Sequence, residues 1–254
     1  MISMETFAKS GSFARQITDQ RGVYSVLEYN KLSGYAATSP VDAFYRAKQG
    51  VRKKQVLIQL RGGNGIILQA GAMQMMLGNI NSDANIGGVG GLVRGIFSAT
   101  ANKESAVKPK YSGDGIVVLE PTWKYILLED LSEWGGSMVL DDGLFLSCEA
   151  SVGIRTVARN NLSSAIAGGE GLFNTMLTGS GVVCLESNVP RDELICIDLN
   201  NDTVKIDGNM AIAWSGSLQF TVERSMKGLI GSAVSGEGLV NVYRGTGRIL
   251  VASV

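Results

Sequence analysis

Residues 85–92 (NIGGVGGL) form the densest run of glycines in the chain and have the composition of a phosphate-binding loop. Glycine leaves backbone N–H groups accessible, and several of these groups together can hold an anion. The run lacks the GxGxxG spacing of dinucleotide-binding loops, and the chain contains no Gly-Lys pair for a Walker-type loop. We therefore interpret it as a flexible or close-packed glycine loop and predict that the protein uses no cofactor.

Residues 105–108 (SAVK) have the Ser-x-x-Lys spacing of serine acyl-enzymes, but the Ser-Asp-Asn and Lys-Thr-Gly elements that accompany it are absent. The chain also contains no histidine. This composition removes Ser-His and Cys-His catalysis, histidine metal ligation and a histidine pH switch. We attribute the Ser-x-x-Lys match to chance, name no catalytic residue and predict that the protein is not an enzyme.

Acidic residues supply the other candidates for metal binding and acid–base chemistry. Residues 198–202 (DLNND) have the opening spacing of a calcium loop, but Thr203 stands where that loop requires glycine and the closing glutamate is missing. The pairs at 129–130 (ED) and 141–142 (DD) lie at predicted turns and strand ends, where solvated carboxylates are usual. We predict no metal site, and a hairpin turn at residues 200–202.

Two further sets of residues are candidates for an interface. Glu104, Glu170 and Glu237 hold corresponding positions before three similar segments and could surround an axis or line an interface. Exposed glutamates in front of edge strands are the alternative that we favour, because unpaired carboxylates resist burial. In residues 73–76 (MQMM), alternation would place Met73 and Met75 on one face and Met76 on the other, one face filling the core and the other available for an oligomer contact.

The overall composition limits the partners of the protein. In 254 residues, 45% are hydrophobic and 18% charged, and 23 Lys and Arg balance 23 Asp and Glu. This balance disfavours nucleic acid and a membrane surface recruited by charge. The chain has no apolar run of the ~20 residues that a membrane span needs. Cys148, Cys184 and Cys196 lie in apolar runs without CxxC spacing, so we predict buried thiols and a cytoplasmic protein.

Three segments resemble one another at intervals of 66 residues: 112–121 (SGDGIVVLEP), 178–187 (TGSGVVCLES) and 244–253 (RGTGRILVAS). Each contains a Gly-x-Gly triplet followed by a strand-like apolar run. Glycine in these places indicates bends that other residues resist. The predicted structural glycines are Gly113, Gly115, Gly179, Gly181, Gly245 and Gly247.

The segments before the triplets also correspond, and they lead to the predicted architecture. Each has a strand-like run followed by Gly, Asn or Asp, which we interpret as a hairpin. We predict one compact all-β domain of three tandem β-sandwich or double-stranded β-helix-like repeats in a pseudo-threefold arrangement. A short N-terminal strand at 23–29 and a helix at 42–49 pack on it. The predicted parts are 1–53 (N-terminal extension), 54–121, 122–189 and 190–254.

Several stretches resemble the altered-inheritance-of-mitochondria protein twenty-four family, and we identify the chain as a bacterial member. They are GVRKKQVLIQL, GIILQAGAMQMMLGNI, KPKYSGDGIVVLEP, GEGLFNTMLTGSGVVCLES and GEGLVNVYRGTG, and the likeness covers roughly residues 45–254. The resemblance implies a fold related to the trp RNA-binding attenuation protein, with its unit repeated three times. The mitochondrial members are linked to inner-membrane organisation. The resemblance carries no catalytic residues, and RNA binding does not follow from a shared fold.

These observations favour a non-enzymatic structural or interaction protein, a β scaffold that associates into homo-oligomers and offers surfaces to protein partners. A small-molecule-binding protein with a pocket between repeats is the alternative. A histidine-free enzyme that uses carboxylates comes third. A fourth hypothesis, single-stranded RNA binding, is opposed by the zero net charge and by the lack of aromatic residues interleaved with cations.

Overall fold

The computed structural model describes residues 4–18, 22–30, 40–83, 108–158, 173–224 and 239–252. Strands dominate these residues, so the predicted all-β class is confirmed. The strands are β1 (Gly11–Thr18), β2 (Gly22–Tyr29), β3 (Lys54–Leu60), β4 (Gly65–Leu68), β5 (Met73–Asp83), β6 (Lys110–Leu119), β7 (Tyr125–Asp130), β8 (Ser137–Leu140), β9 (Phe145–Glu149), β10 (Gly153–Ala158), β11 (Phe173–Thr178), β12 (Val182–Ser187), β13 (Ile195–Asp207), β14 (Ala211–Ser215), β15 (Gln219–Arg224) and β16 (Leu239–Val251). The helices are α1 (Pro40–Lys48) and 3-10 turns at Met4–Ser10 and Leu131–Trp134.

The strands form two antiparallel sheets. The first has the order β1-β2-β3-β6-β4-β9-β12-β7, with β5 also paired to β6. The second has the order β10-β11-β8-β14-β16-β13, with β15 also paired to β16. The long strands β6 and β16 each pair with three neighbours, because one strand covers one edge along its length and two strands share the other edge.

The hydrophobic core lies partly between the two sheets. One buried cluster joins Leu127 and Leu185 of the first sheet to Met138, Leu177 and Leu250 of the second, around the fully buried Trp134. Alternating apolar residues of each strand supply these contacts, as expected for sheets that pack face to face. The middle of the chain is therefore a two-layer sandwich.

The Gly-x-Gly segments lie in strands or between them, with a shared register. The first glycine donates its N–H to Asn64 in the first segment and to Gly136 in the second, and it lies opposite Asp202 in the third. The second glycine lies opposite a leucine in the first and third segments. In the second segment its carbonyl oxygen accepts a hydrogen bond from the N–H of a leucine. These leucines are Leu60, Leu131 and Leu199. The boundaries of the three predicted repeats, and their closure around an axis, stay predictions.

The predicted hairpins after the first strand of each repeat are wrong. β3 and β4 do not pair with each other; both pair with β6, so the intervening glycines bend the chain without reversing it. Residues 195–207 form one continuous strand, β13, along β16. The predicted turn at 200–202 is a bulge there, with Asn201 at φ 53°, which asparagine tolerates better than most residues.

The N-terminal segment extends the first sheet. β2 pairs with β3 over its whole length, and Tyr24, Val26 and Leu27 are buried. The predicted strand and helix correspond to β2 and α1, and Gly50 follows the helix at φ 72°. Sequence reasoning missed β1 and the first 3-10 turn. In the described part of the chain, no helix has the length and apolarity to cross a membrane.

The cysteines differ from one another in exposure. Cys148 and Cys184 are buried, as predicted, but Cys196 is exposed. Burial raises the pKa of both buried thiols, that of Cys184 to about 12. Cys196 is exposed because its apolar run lies in β13, the last strand of the second sheet, where neighbouring side chains cover less of it.

Candidate association edges

Two short antiparallel ladders connect successive parts of the chain. Residues 66–68 of β4 lie opposite residues 147–149 of β9, and residues 138–140 of β8 lie opposite residues 213–215 of β14. Both ladders have three residue pairs. These ladders join the first part of the chain to the second part, and the second part to the third.

The C-terminal half of β13 holds the place that β4 and β8 hold in these ladders. Gly65 of β4 and Ser137 of β8 lie opposite the residue that precedes the first glycine of a Gly-x-Gly segment. Thr203 of β13 lies opposite Arg244, which precedes the first glycine of the third segment. Residues 204–206 therefore correspond to the residues through which β4 and β8 pair onward.

The N-terminal half of β5 corresponds in the same way to β9 and β14. Met76, Cys148 and Trp214 each lie opposite the residue four places after the first glycine of a segment. Residues 75–77 are thus the counterpart of the receiving strands. Among the strands that the structure describes, neither this edge of β5 nor the outer edge of β13 has a pairing partner.

The receiving positions are buried within the chain but exposed in β5. Cys148 and Trp214 are 0% and 3% exposed, whereas Met76 is 44% exposed. Met75 is 38% exposed, and its counterparts Ser147 and Ala213 are fully buried. Apolar side chains thus face solvent at positions that β9 and β14 bury in a ladder.

The outer edge of β13 combines apolar and charged side chains. Ile206 is 7% exposed and Val204 is half-buried, whereas the Lys205 side chain is 52% exposed. The Lys205 Nζ lies 4.0 Å from the Glu223 carboxylate, which also accepts from Arg244 at 2.7 Å. The hydrogen bond from Arg244 holds the pKa of Glu223 below its usual value. The lysine charge is therefore balanced by a carboxylate of β15, which lies on the far side of β16.

A cleft of about 300 Å³ lies between the second and third parts of the chain. Arg248 donates to Asp198 at 2.9 Å, lies 4.0 Å from Glu133, and its guanidinium carbon is 5.8 Å from the Trp134 ring centroid. The hydrogen bond to Asp198 raises the pKa of Arg248. The cleft thus has an aromatic floor and a guanidinium already paired with two carboxylates.

The predicted interface glutamates Glu104, Glu170 and Glu237 lie outside the described residues, as does the glycine run at 85–92. Of the Ser-x-x-Lys match, only Lys108 is described. Its Nζ donates to Gln69 at 2.8 Å and lies 4.4 Å from the Phe145 ring centroid. This lysine has structural contacts of its own.

The other acidic candidates have structural contacts too. Asp130 caps the second 3-10 turn by accepting from the Ser132 N–H at 2.8 Å. Glu129 is buried and accepts from Trp134 at 3.3 Å and Arg191 at 3.0 Å, so it is not the solvated carboxylate that we predicted. No cluster of acidic or cysteine side chains within the described residues could hold a metal ion.

The predicted alternation of the methionines is wrong. Met73 and Met75 lie opposite the successive residues Leu119 and Val118 of β6, because a bulge inserts an extra residue between them. They therefore point to opposite faces. Sequence reasoning singled out the methionine cluster but did not predict that β5 and β13 form candidate edges. A signal was available for β13, where apolar and polar residues alternate on both sides of the 200–202 turn.

Comparisons with known proteins place the chain among relatives of similar length. The family described as mitochondrial biogenesis AIM24 matches residues 45–254. An uncharacterized protein of Streptococcus pyogenes serotype M6 is 30% identical over 207 residues, 78% of this chain and 81% of that protein. The X-ray structure of a structural-genomics target from Streptococcus pyogenes, also 30% identical, superposes with a TM-score of 0.58 over 79% of this chain and 88% of that one.

Proposed function

The chain belongs to the mitochondrial biogenesis AIM24 family, and from this premise we propose that it is a non-enzymatic β scaffold that associates with further copies of itself. The carrying observation is that, among the described strands, the outer edges of β5 and β13 have no pairing partner. An exposed edge is a template for another strand, and proteins normally shorten or cover such edges. Here one edge exposes two methionines that correspond to buried residues elsewhere in the chain.

The absence of catalysis in this proposal rests on the residue types. The chain has no histidine, and among the described carboxylates Glu129, Asp130 and Asp198 stabilise a cap or an ion pair. Free cysteines in the described residues support a reducing compartment, and we place the protein in the cytoplasm.

Light scattering coupled to size-exclusion chromatography tests self-association directly. One chain has a mass of 26.9 kDa, and we expect the purified protein to elute with a mass that is a multiple of this value. A single species of one-chain mass across a hundredfold range of protein concentration would contradict the scaffold proposal.

A small-molecule-binding role is the second candidate, favoured by the cleft beside Trp134. Its 300 Å³ lies at the lower end of ligand-pocket volumes. Two carboxylates and an aromatic ring favour a small cationic ligand. Native mass spectrometry of the freshly purified protein would show a mass excess that disappears in the Glu133→Lys variant, which replaces one of the two carboxylates with a cation that repels the ligand. Identical masses in native and denaturing spectra would exclude a ligand that copurifies.

A further inference from the structure

We propose that the outer edge of β13 pairs with the outer edge of β5 in a second copy of the chain, antiparallel and in the register of the internal ladders. This inference rests on the proposed function and specifies its contact. The register follows from the two internal links, since residues 204–206 correspond to 66–68 and 138–140, and residues 75–77 to 147–149 and 213–215. Val204 then lies opposite Leu77, Lys205 opposite Met76, and Ile206 opposite Met75.

Continuity with an interface already present in the chain supports a second copy as the occupant. The chain forms this ladder twice, between β4 and β9 and between β8 and β14. In the third part of the chain, β13 corresponds to β4 and β8 but has no receiving strand among the described residues. In the first part, β5 corresponds to β9 and β14 but has no strand paired to its outer edge there. A third ladder of this kind needs no new surface, only another molecule.

The chemistry of the two edges agrees with the pairing. Apolar cross-strand neighbours stabilise a sheet, and two of the three proposed pairs are entirely apolar. Lys205 is the exception, and edge lysines commonly protect against unwanted pairing. Its ammonium group lies near Glu223, 4.0 Å away, so its aliphatic stem remains for contact with Met76.

The contact joins two different edges, so it is heterologous. Each copy uses β13 towards one neighbour and β5 towards the other, which generates a ring or an open fibre. An isologous dimer would instead pair β5 with β5 or β13 with β13. The two geometries predict different cross-linking patterns.

Disulfide trapping with chains that each carry one exposed cysteine tests the proposed register. We would make Lys205→Cys and Met76→Cys separately in a Cys196→Ser background, so that no other exposed described cysteine remains. A disulfide needs Cα atoms within about 7 Å. Under mild oxidation we expect an equimolar mixture of the two variants to form dimers, and each variant alone to form at least about tenfold fewer, because facing cysteines meet only across this ladder.

A matched control shifts one cysteine along the strand. Asp207→Cys mixed with Met76→Cys lies two residues out of register and should cross-link no better than the single variants. Dimers from Lys205→Cys alone or Met76→Cys alone would overturn the proposal in favour of an isologous contact. Carrying both cysteines on one chain and obtaining only cross-linked monomers would overturn it in favour of closure within the chain.

Charge introduced on the receiving edge supplies a second readout. Met75→Glu and Met76→Glu change exposed side chains, so we expect the chain to fold and its mass to fall to 26.9 kDa. Met210→Glu is the control, because Met210 is also exposed, at 40%, but lies outside β5 and β13. An oligomer that survives Met75→Glu and Met76→Glu would overturn this edge while leaving self-association intact. A wild-type monomer would overturn both.

Discussion

At the scale of single residues, Glu129 shows how this protein uses a buried charge. Its carboxylate is 4% exposed and is held by Trp134 and by Arg191 from a distant part of the chain. A buried carboxylate without partners is costly, whereas one with two donors is tolerated. Its role is to fix the second 3-10 turn against the turn between β12 and β13.

Removal of the arginine partner should therefore destabilise the fold. We expect Arg191→Ala to lower the free energy of unfolding by about 1–3 kcal/mol, because a charge-assisted hydrogen bond is lost and the carboxylate stays buried. Urea denaturation measures this change. Lys124→Ala is the control, since it removes an ion pair with Glu186 whose side chains are 43% and 22% exposed, and it should cost less than about 1 kcal/mol. Equal losses would contradict the role assigned to burial.

The cysteines provide a second prediction at this scale. In the native protein we expect Cys196 to react with Ellman's reagent at pH 8, and Cys148 and Cys184 to react only after unfolding. The Cys196→Ser variant is the control and should release no rapid signal from the described residues. Fast modification of two or three thiols in the folded wild type would contradict the burial of Cys148 and Cys184.

The raised pKa of Cys184 adds a dependence on pH. The folded thiol keeps its proton up to about pH 12, whereas the unfolded thiol releases it near its ordinary value of 9.0. The unfolded state therefore gains stability relative to the fold as pH rises above 9. Urea titrations measure the free energy of unfolding at pH 8 and at pH 10. Between these two pH values we expect this free energy to fall less for Cys184→Ala than for wild type.

At the scale of elements, the bends in the long strands depend on glycine. Gly113 has φ 135°, and a Cβ there would lie against the Asn79 carbonyl oxygen on the paired strand β5. We expect Gly113→Ala to cost more than about 2 kcal/mol, because both the backbone conformation and the ladder must change. Gly63→Ala, at φ 73° with open space around it, should cost only about 1–2 kcal/mol. Thermal unfolding compares the two, and a milder effect at Gly113 would contradict the close approach.

Local sequence predicted strand positions better than strand connections. The runs at 54–60 and 23–29 contain the β-branched and aromatic residues that favour strands, and they correspond to β3 and β2. Glycine and asparagine at 61–64 and 200–202 marked changes of direction correctly, but the same residues serve a reversal, a bend or a bulge. Which of these forms depends on the partner strand, and β6 and β16 lie far along the sequence.

The correspondence between the candidate edges and the internal ladders was beyond local prediction for the same reason. The sequence assigned one methionine face to the core and the other to an oligomer contact, but only the register against β6 shows that Met76 is the counterpart of Cys148 and Trp214. The exposure of Cys196 likewise follows from the position of β13 in the sheet. Burial in a sheet is a property of neighbours, which a single strand does not encode.

At the scale of the whole molecule, the N-terminal segment is packed against the body although the family match begins at residue 45. Leu27 of β2 is fully buried in a cluster with Leu57 and Val118. We expect Leu27→Ala to lower the free energy of unfolding by about 2–5 kcal/mol, in a single transition that also includes the Trp134 region. Arg15→Ala on the exposed face of β1 should stay within about 0.5 kcal/mol. Separate transitions for the two regions would contradict one cooperative unit.

The three neighbours of β16 have a consequence for biosynthesis. This strand of 13 residues is the last one that the structure describes, and β13, β14 and β15 all pair with it. Until it leaves the ribosome, β13 and β15 lack their pairing partner, whereas β14 can pair with β8 and the strands of the first sheet can pair with one another. The third part of the protein therefore folds only after β16 has left the ribosome, and nascent chains that stop before β16 would expose β13 and β15 without their described pairing partner to chaperones and proteases.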